Sequence, residues 1–136
     1  MSGGIITPSF IWRCCAISNY RGYKPETDIY LVTQPVDFRK SINGLTTLIQ
    51  EELGRSPMEN ACFVFTNNQR DKMKIIEWDH NGFWLLYKRL ESGKFQWPHS
   101  EQEILAITRD QYDWLMNGLS IHQRDGFKEV LARKVI

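Results

Sequence analysis

Apolar residues recur at helical spacing in the first third of the chain. From Phe38 they follow steps of four, three, four and four residues to Leu53, which is the period of an amphipathic α-helix. Asp37 is placed to cap the N-terminus of this helix, and Gly54 is placed to end it. The pattern therefore predicts a first helix from Phe38 to Leu53, and Gly44 within it predicts a close approach to a strand.

Alternating or continuous apolar runs predict short β-strands on both sides of this helix. The dipeptide Asn81-Gly82 is a strong signal for a two-residue hairpin turn between two of them. The predicted strands are Ile29–Val32, Ala61–Thr66, Met73–Asp79, Phe83–Leu90, Lys94–Trp97 and Ile104–Ile107.

Helical signals return near the C-terminus. Thr108 and Gln111 have the spacing of a capping box, and Phe127–Val135 is a last amphipathic segment. Hairpins and short connections favour an α+β fold: a mainly antiparallel sheet of about five short strands, one helix packed on it, and a helical C-terminus. We expect a weakly ordered N-terminal extension over residues 1–28, an α+β domain over 29–119 and a C-terminal helical segment over 120–136.

Composition narrows the class of protein. At 136 residues, with 42% hydrophobic and 24% charged residues, the chain has the make-up of one soluble domain. Its formal net charge is +1, so binding to nucleic acid requires a local basic patch. No segment approaches the ~18 apolar residues of a membrane span, and none has the pattern of a signal peptide. We therefore expect a cytoplasmic protein that makes no contact with a membrane.

The polar residues indicate no catalytic, metal or cofactor site. The three cysteines lack the spacing of zinc ligands, and their odd number argues against a disulfide framework. Capping, turn formation and ion pairing explain Asp37, Asp71 and Asp79 more simply than metal binding does. We expect a protein without enzymatic activity or cofactor.

Basic residues gather at one end of the predicted hairpin. With Asn81-Gly82 as the turn, Lys74 lies opposite Arg89, and like charges directly opposed on a sheet repel. A nucleic-acid phosphate between them would make the arrangement favourable; the alternative is a solvated edge that resists aggregation. Arg39 and Lys40, at a helix N-terminus, suit a phosphate or surface ion pairs. The candidate nucleic-acid-binding residues are Arg39, Lys40, Arg70, Lys72, Lys74, Lys88 and Arg89.

Aromatic residues flank the same hairpin end. The period of two in a sheet should send about half of them into the core and half outward. An outward aromatic row beside Lys and Arg is typical of recognition surfaces. The candidates for a protein-interaction surface are Trp84, Tyr87, Phe95 and Trp97.

Ordered local signatures run through residues 29–98 and resemble the short TnpB accessory proteins of insertion sequence 66 family transposable elements. A large RNA-guided nuclease shares that name, but 136 residues cannot hold its catalytic domain and guide-binding lobe. The signatures, in chain order, are Asp37-Phe38-Arg39-Lys40, Phe63-Val64-Phe65, Arg70-Asp71-Lys72, Trp78-Asp79 before a Gly turn, Lys88-Arg89-Leu90-Glu91-x-Gly93 and Phe95-x-Trp97-Pro98.

This resemblance implies a non-catalytic accessory factor for DNA transposition. Its protein partners would be the transposase and a second small accessory protein of the same element. It would bind DNA at the ends of the element through the basic hairpin. The alternative is a module that docks on the transposase without touching DNA. Relatives typically carry arginines in the turn that here reads Thr66-Asn67-Asn68-Gln69-Arg70, so we expect weaker DNA binding in this protein.

Overall fold

Five strands and two helices make up the part of the chain that the computed structural model describes, residues 27–123. Residues 1–26 and the predicted Phe127–Val135 segment lie outside it. The strands form one sheet in the order β4-β3-β2-β1-β5. The elements are β1 (Asp28–Val32), α1 (Ile42–Glu51), β2 (Ala61–Thr66), β3 (Lys72–Asp79), β4 (Gly82–Arg89), β5 (Ile104–Ile107) and α2 (Arg109–Met116).

The sheet is mostly antiparallel but contains one parallel pair. β1 runs parallel to β2, with Asp28 opposite Ala61 and Leu31 opposite Val64. The other three pairings are antiparallel. A parallel pair requires a crossover that returns the chain to the same end of the sheet, and the segment containing α1 provides it. The predicted α+β class is therefore confirmed, with a mixed sheet.

Both faces of the sheet carry buried side chains, because successive residues of a strand point to opposite sides. On one face, Phe63, Phe65 and Ile76 belong to the same buried cluster as Leu45 and Ile49 of α1. A second cluster occupies the other face and includes residues of α2 and of the segment before β5. The residues of this second cluster include Ile29, Leu31, Val64, Ile75, Phe95, Trp97, Tyr112 and Leu115.

The first helix begins later than the sequence pattern predicts. Asp37 does not cap it: the Asp37 carboxylate accepts the backbone N–H of Arg39 at 2.9 Å, and its carbonyl accepts the N–H of Lys40 at 3.1 Å. These bonds close a tight turn, and Ser41 becomes the N-cap of α1. Gly54 does take a left-handed conformation after the helix, with φ of 67°.

Two further local predictions are wrong. The atoms nearest to a Cβ placed on Gly44 belong to the side chain of Lys40, the first at 3.0 Å, so the close approach at Gly44 is to this side chain and not to a strand. Residues 94–97 form no strand, because their backbone pairs with the 67–71 loop instead of the sheet: the N–H of Phe95 donates to the carbonyl of Arg70 at 2.8 Å. By contrast, the capping box of Thr108 and Gln111 is present at the start of α2.

The β3–β4 hairpin has a different register from the predicted one. Asp79 pairs with Gly82, so the turn residues are His80 and Asn81, and His80 adopts φ of 62°. The slip is two residues, which keeps every side chain on its predicted face but changes each partner. Ile76 now lies opposite Leu85. The preference of Asn81-Gly82 for the two central turn positions is therefore not decisive in this hairpin.

Candidate nucleic-acid interface

A groove of about 750 Å³ opens on the sheet face that carries α1. Three segments that are separate in sequence form it: the turn before α1, the loop between β2 and β3, and the outer hairpin. The N–H of Val36 donates to the carbonyl of Thr66 at 2.9 Å and holds the first two together. The lining residues are Val36, Asp37, Phe38, Arg39, Asn67, Asn68, Gln69, Lys72, Lys74, Leu85 and Tyr87.

Lys74 supports the floor of this groove. Its ammonium nitrogen donates to the carbonyl oxygens of Phe38, at 2.8 Å, and Lys40, at 2.7 Å. Partial burial lowers the pKa of Lys74, while the charge of Asp37 acts in the opposite direction. The same nitrogen lies 4.8 Å from the centre of the Phe38 ring, a cation–π contact. Lys74 therefore connects β3 to the turn before α1 and brings positive charge beneath the groove.

Arg39 forms the most exposed part of the rim. Its side chain is 91% exposed and its Nη2 atom lies 2.7 Å from the Asp37 carboxylate. Hydrogen bonds from the side chain and then the backbone of Arg39 lower the pKa of Asp37 to about 2. An exposed ion pair of this kind adds little stability, so the guanidinium can exchange its partner for a phosphate at little cost.

Lys72 and Arg89 are the like-charged pair of the hairpin. They lie directly opposite each other, whereas Lys74 lies opposite Tyr87, so the predicted opposition of Lys74 and Arg89 is wrong. Nearby carboxylates contact both cations: Asp71 is 3.6 Å from Lys72, and Glu91 is 2.8 Å from Arg89. Since residues 72, 74, 87 and 89 share one face, Arg89 extends the basic rim beyond the groove.

Asn67 organises the loop that forms the second wall. Its side chain is buried, and its Oδ1 atom accepts the N–H groups of Asp71 and Lys72 at 3.1 and 3.0 Å. Its Nδ2 atom donates to Asp71 Oδ1 at 2.7 Å and to Gln69 Oε1 at 3.1 Å. The hydrogen bond from Asn67 to the Asp71 carboxylate is the main cause of the lowered pKa of Asp71. The exposed amides of Asn68 and Gln69 are consequently presented along the groove.

The other predicted nucleic-acid-binding residues lie elsewhere. Arg70 adopts φ of 61° and lines a different cleft, of about 400 Å³, with Gln34 and His99. Lys88 pairs with Met73 on the opposite face of the hairpin. Lys40 contributes its backbone carbonyl to Lys74, and its side chain lies against Gly44. The structure thus brings Arg39, Lys72 and Lys74 together, with Arg89 beside them.

The four candidate interaction aromatics have different surroundings. Phe95 and Trp97 are buried, and the Trp97 indole donates to the carbonyl of Val32 at 2.9 Å. Trp84 is partly buried, and its indole donates to Asp79 at 2.9 Å. Tyr87 alone among the four has a largely exposed side chain, at 51%. Its ring centre lies 6.3 Å from that of Phe38.

Several groove residues were not predicted as site residues from the sequence. Phe38 looked like the first apolar residue of a helix, and Asn68 and Gln69 looked like a weakened form of an arginine-rich turn. Asp37 was the one sequence signal that could have placed Phe38 in a turn before the helix, since an Asp can close a turn as readily as it caps a helix.

Within residues 27–123, no three His, Cys, Asp or Glu side chains are grouped in a way that could hold a metal ion. No helix in that range is long and apolar enough to cross a membrane.

Comparison with known proteins identifies the family. Residues 27–126 match the family described as IS66 Orf2 like protein, and the chain belongs to this family. This confirms the resemblance found in the sequence, and it makes the protein a transposition-associated accessory protein of an insertion sequence.

Two similar proteins come from Sinorhizobium fredii (strain NBRC 101917 / NGR234). The uncharacterized protein y4jC is 38% identical over 91 residues, which cover 67% of this chain and 78% of the relative. The uncharacterized protein y4hO is 32% identical over 91 residues, covering 67% of this chain and 79% of the relative. No solved structure matches the chain.

Proposed function

We propose that this protein is a non-catalytic accessory factor that binds DNA at the ends of an insertion sequence 66 type element and acts with the transposase of that element. Family membership supports the setting. The main support for a DNA contact is the positive charge of the groove. Its lining includes three cations, Arg39, Lys72 and Lys74, and a single carboxylate, Asp37.

This local charge matters because the whole protein is almost neutral. A net charge of +1 gives no long-range attraction to DNA, so binding depends on the few cations that meet at one place. Arg39 is exposed, and Lys72 has Arg89 directly across the hairpin. A phosphate held between the last two cations would remove their repulsion. In the unbound protein Asp37, Asp71 and Glu91 each contact one cation of the rim. Ion pairs this close to the surface are weak, so a phosphate can displace these carboxylates.

The alternative, docking on the transposase through an aromatic surface, has less support. Phe95 and Trp97 are in the core, and Trp84 is partly buried. Tyr87 is exposed, but it lies within the basic groove. Among the candidate site residues, those best placed for an external contact are thus cationic or adjacent to cations, which favours nucleic acid.

The test compares two double charge reversals in the full chain. Arg39→Glu with Lys72→Glu alters the groove, and Lys88→Glu with Lys94→Glu makes the same change in net charge outside the groove lining. Binding to a fluorescent duplex carrying the terminal sequence of the element is measured by anisotropy from low to high salt.

We expect the groove variant alone to lose affinity. The slope of log affinity against log salt should fall by about one for each phosphate contact removed. Equal losses in both variants would show that net charge alone matters. Salt-independent binding of purified transposase, with no binding of DNA, would establish the docking alternative.

A further inference from the structure

We propose that the groove accommodates an unpaired base of single-stranded or frayed DNA, with Tyr87 as its stacking surface. This inference rests on the proposed function and specifies its ligand. Three features of the groove lead to it: an exposed aromatic ring, exposed amides and cations within one concave volume.

The aromatic feature is Tyr87. Its side chain is 51% exposed, whereas the preceding residues of the same strand, from Gly82 to Leu86, are all partly buried. The Phe38 ring is tilted 56° from the Tyr87 ring and does not stack face to face on it. Base–aromatic stacking requires an accessible ring, and it tolerates any base because every base has a π-face.

The cationic feature lies next to that ring. Lys74 is 5.8 Å from the centre of the Tyr87 ring, and Lys72 is the next residue on the same strand face. Single-strand sites typically combine such a basic track for the backbone with aromatic rings for the bases. Arg39 on the opposite rim provides a second contact for phosphate.

The amide feature gives polar contacts at the wall. Asn68 and Gln69 are exposed and line the groove, and their side chains carry both donors and acceptors, as base edges do. The edges that pair in a duplex are accessible only when a base is unpaired. Such amides are therefore more useful to a binder of unpaired bases than to a protein that contacts only duplex phosphates.

The size of the groove is suitable for this ligand. Its volume of about 750 Å³ is within the range of about 300–1,000 Å³ of small-molecule sites. A double helix inserts no base into such a concavity without flipping it out, which costs unstacking energy. A single strand or a frayed end makes the base available at lower cost.

The test uses three labelled probes of one sequence: a single strand, its blunt duplex, and the duplex with a single-stranded overhang. Binding to the full chain is compared for the wild type, Tyr87→Leu and Tyr87→Phe, with Leu119→Ala as a control at another exposed apolar residue. We expect the wild type to prefer both probes with unpaired bases. Tyr87→Leu should weaken these by about fivefold or more, and Tyr87→Phe, which keeps the ring, should not.

Photo-crosslinking to the wild-type protein gives a second test, which does not require any variant to fold. A single strand with 5-iodouracil, irradiated on the wild-type protein, should crosslink to the peptide containing Tyr87 or Phe38. Crosslinks found only elsewhere overturn the inference. Equal binding of strand and duplex, unaffected by Tyr87→Leu, also overturns it but leaves the phosphate contact standing. Absence of binding to all three probes rejects the proposed DNA contact as well.

Discussion

Lys74 donates a hydrogen bond from its ammonium nitrogen to the backbone carbonyl of Lys40, at 2.7 Å. One basic residue of the candidate site thereby supports the backbone of another. Charge reversal at Lys74 consequently perturbs the fold as well as the site, whereas Arg39 and Lys72 test binding more directly.

Lys74→Met should destabilise the protein by about 1–3 kcal/mol, because the carbonyls of Phe38 and Lys40 lose their charged donor. Lys72→Met is the matched control on the same strand face, and its cost should stay within about 0.5 kcal/mol. Urea unfolding of both variants measures the difference. Equal losses would mean that Lys74 does not support the turn.

Asn67→Ala should cost about 1–3 kcal/mol, because the N–H groups of Asp71 and Lys72 lose their acceptor. Its exposed neighbour provides the control: Asn68→Ala should change the free energy of unfolding by less than about 0.5 kcal/mol. Chemical denaturation checks both values. Similar stabilities for the two variants would contradict the organising role of Asn67.

Trp97→Phe should also lower stability by about 1–3 kcal/mol, since the carbonyl of Val32 loses the indole donor inside the core. Trp114→Phe, at a partly exposed position of α2, should cost less. The folded Trp97 variant should bind DNA as the wild type does. Unchanged stability together with lost transposase binding would instead assign Trp97 to a docking surface.

Acid should remove the small contribution that the exposed Asp37–Arg39 pair makes to stability. Its pKa is about 2 in the folded state against an ordinary 3.8, because Arg39 donates hydrogen bonds to the carboxylate. The stabilising contribution is therefore present above pH 3.8 and is lost as the pH falls towards 2. Arg39→Gln should raise the pKa of Asp37 in a carboxyl NMR titration. An identical titration curve in wild type and variant would exclude this pairing in solution.

The strands were predictable because their apolar runs are short and bounded by turn residues. β2 and β5 match their predicted limits, β1 and β3 differ by one residue at one end, and β4 differs by one residue at each end. The capping box at Thr108 was equally local and is present. These features depend on neighbouring residues, which a sequence displays directly.

The groove was harder to predict because it depends on contacts between distant segments. Lys72 and Lys74 were identified as basic candidates, but their partners follow from a register that strand packing decides. Phe38 joins the groove only because Asp37 closes a turn and delays α1. The pairing of that turn with Lys74 links residues 36 positions apart in the sequence, beyond the reach of a periodic pattern.

The pairing of β1 with β5, the last strand in the chain order, has a consequence for folding. β2, β3 and β4 are joined by short connections, so they can pair as soon as they leave the ribosome. The outer side of β1 remains open until β5 has been synthesised. A chain that stops before Ile104 would expose this edge, with Leu31 and Val32 on it, to other growing chains. Truncation between β4 and β5 should therefore produce aggregation in preference to a smaller soluble protein.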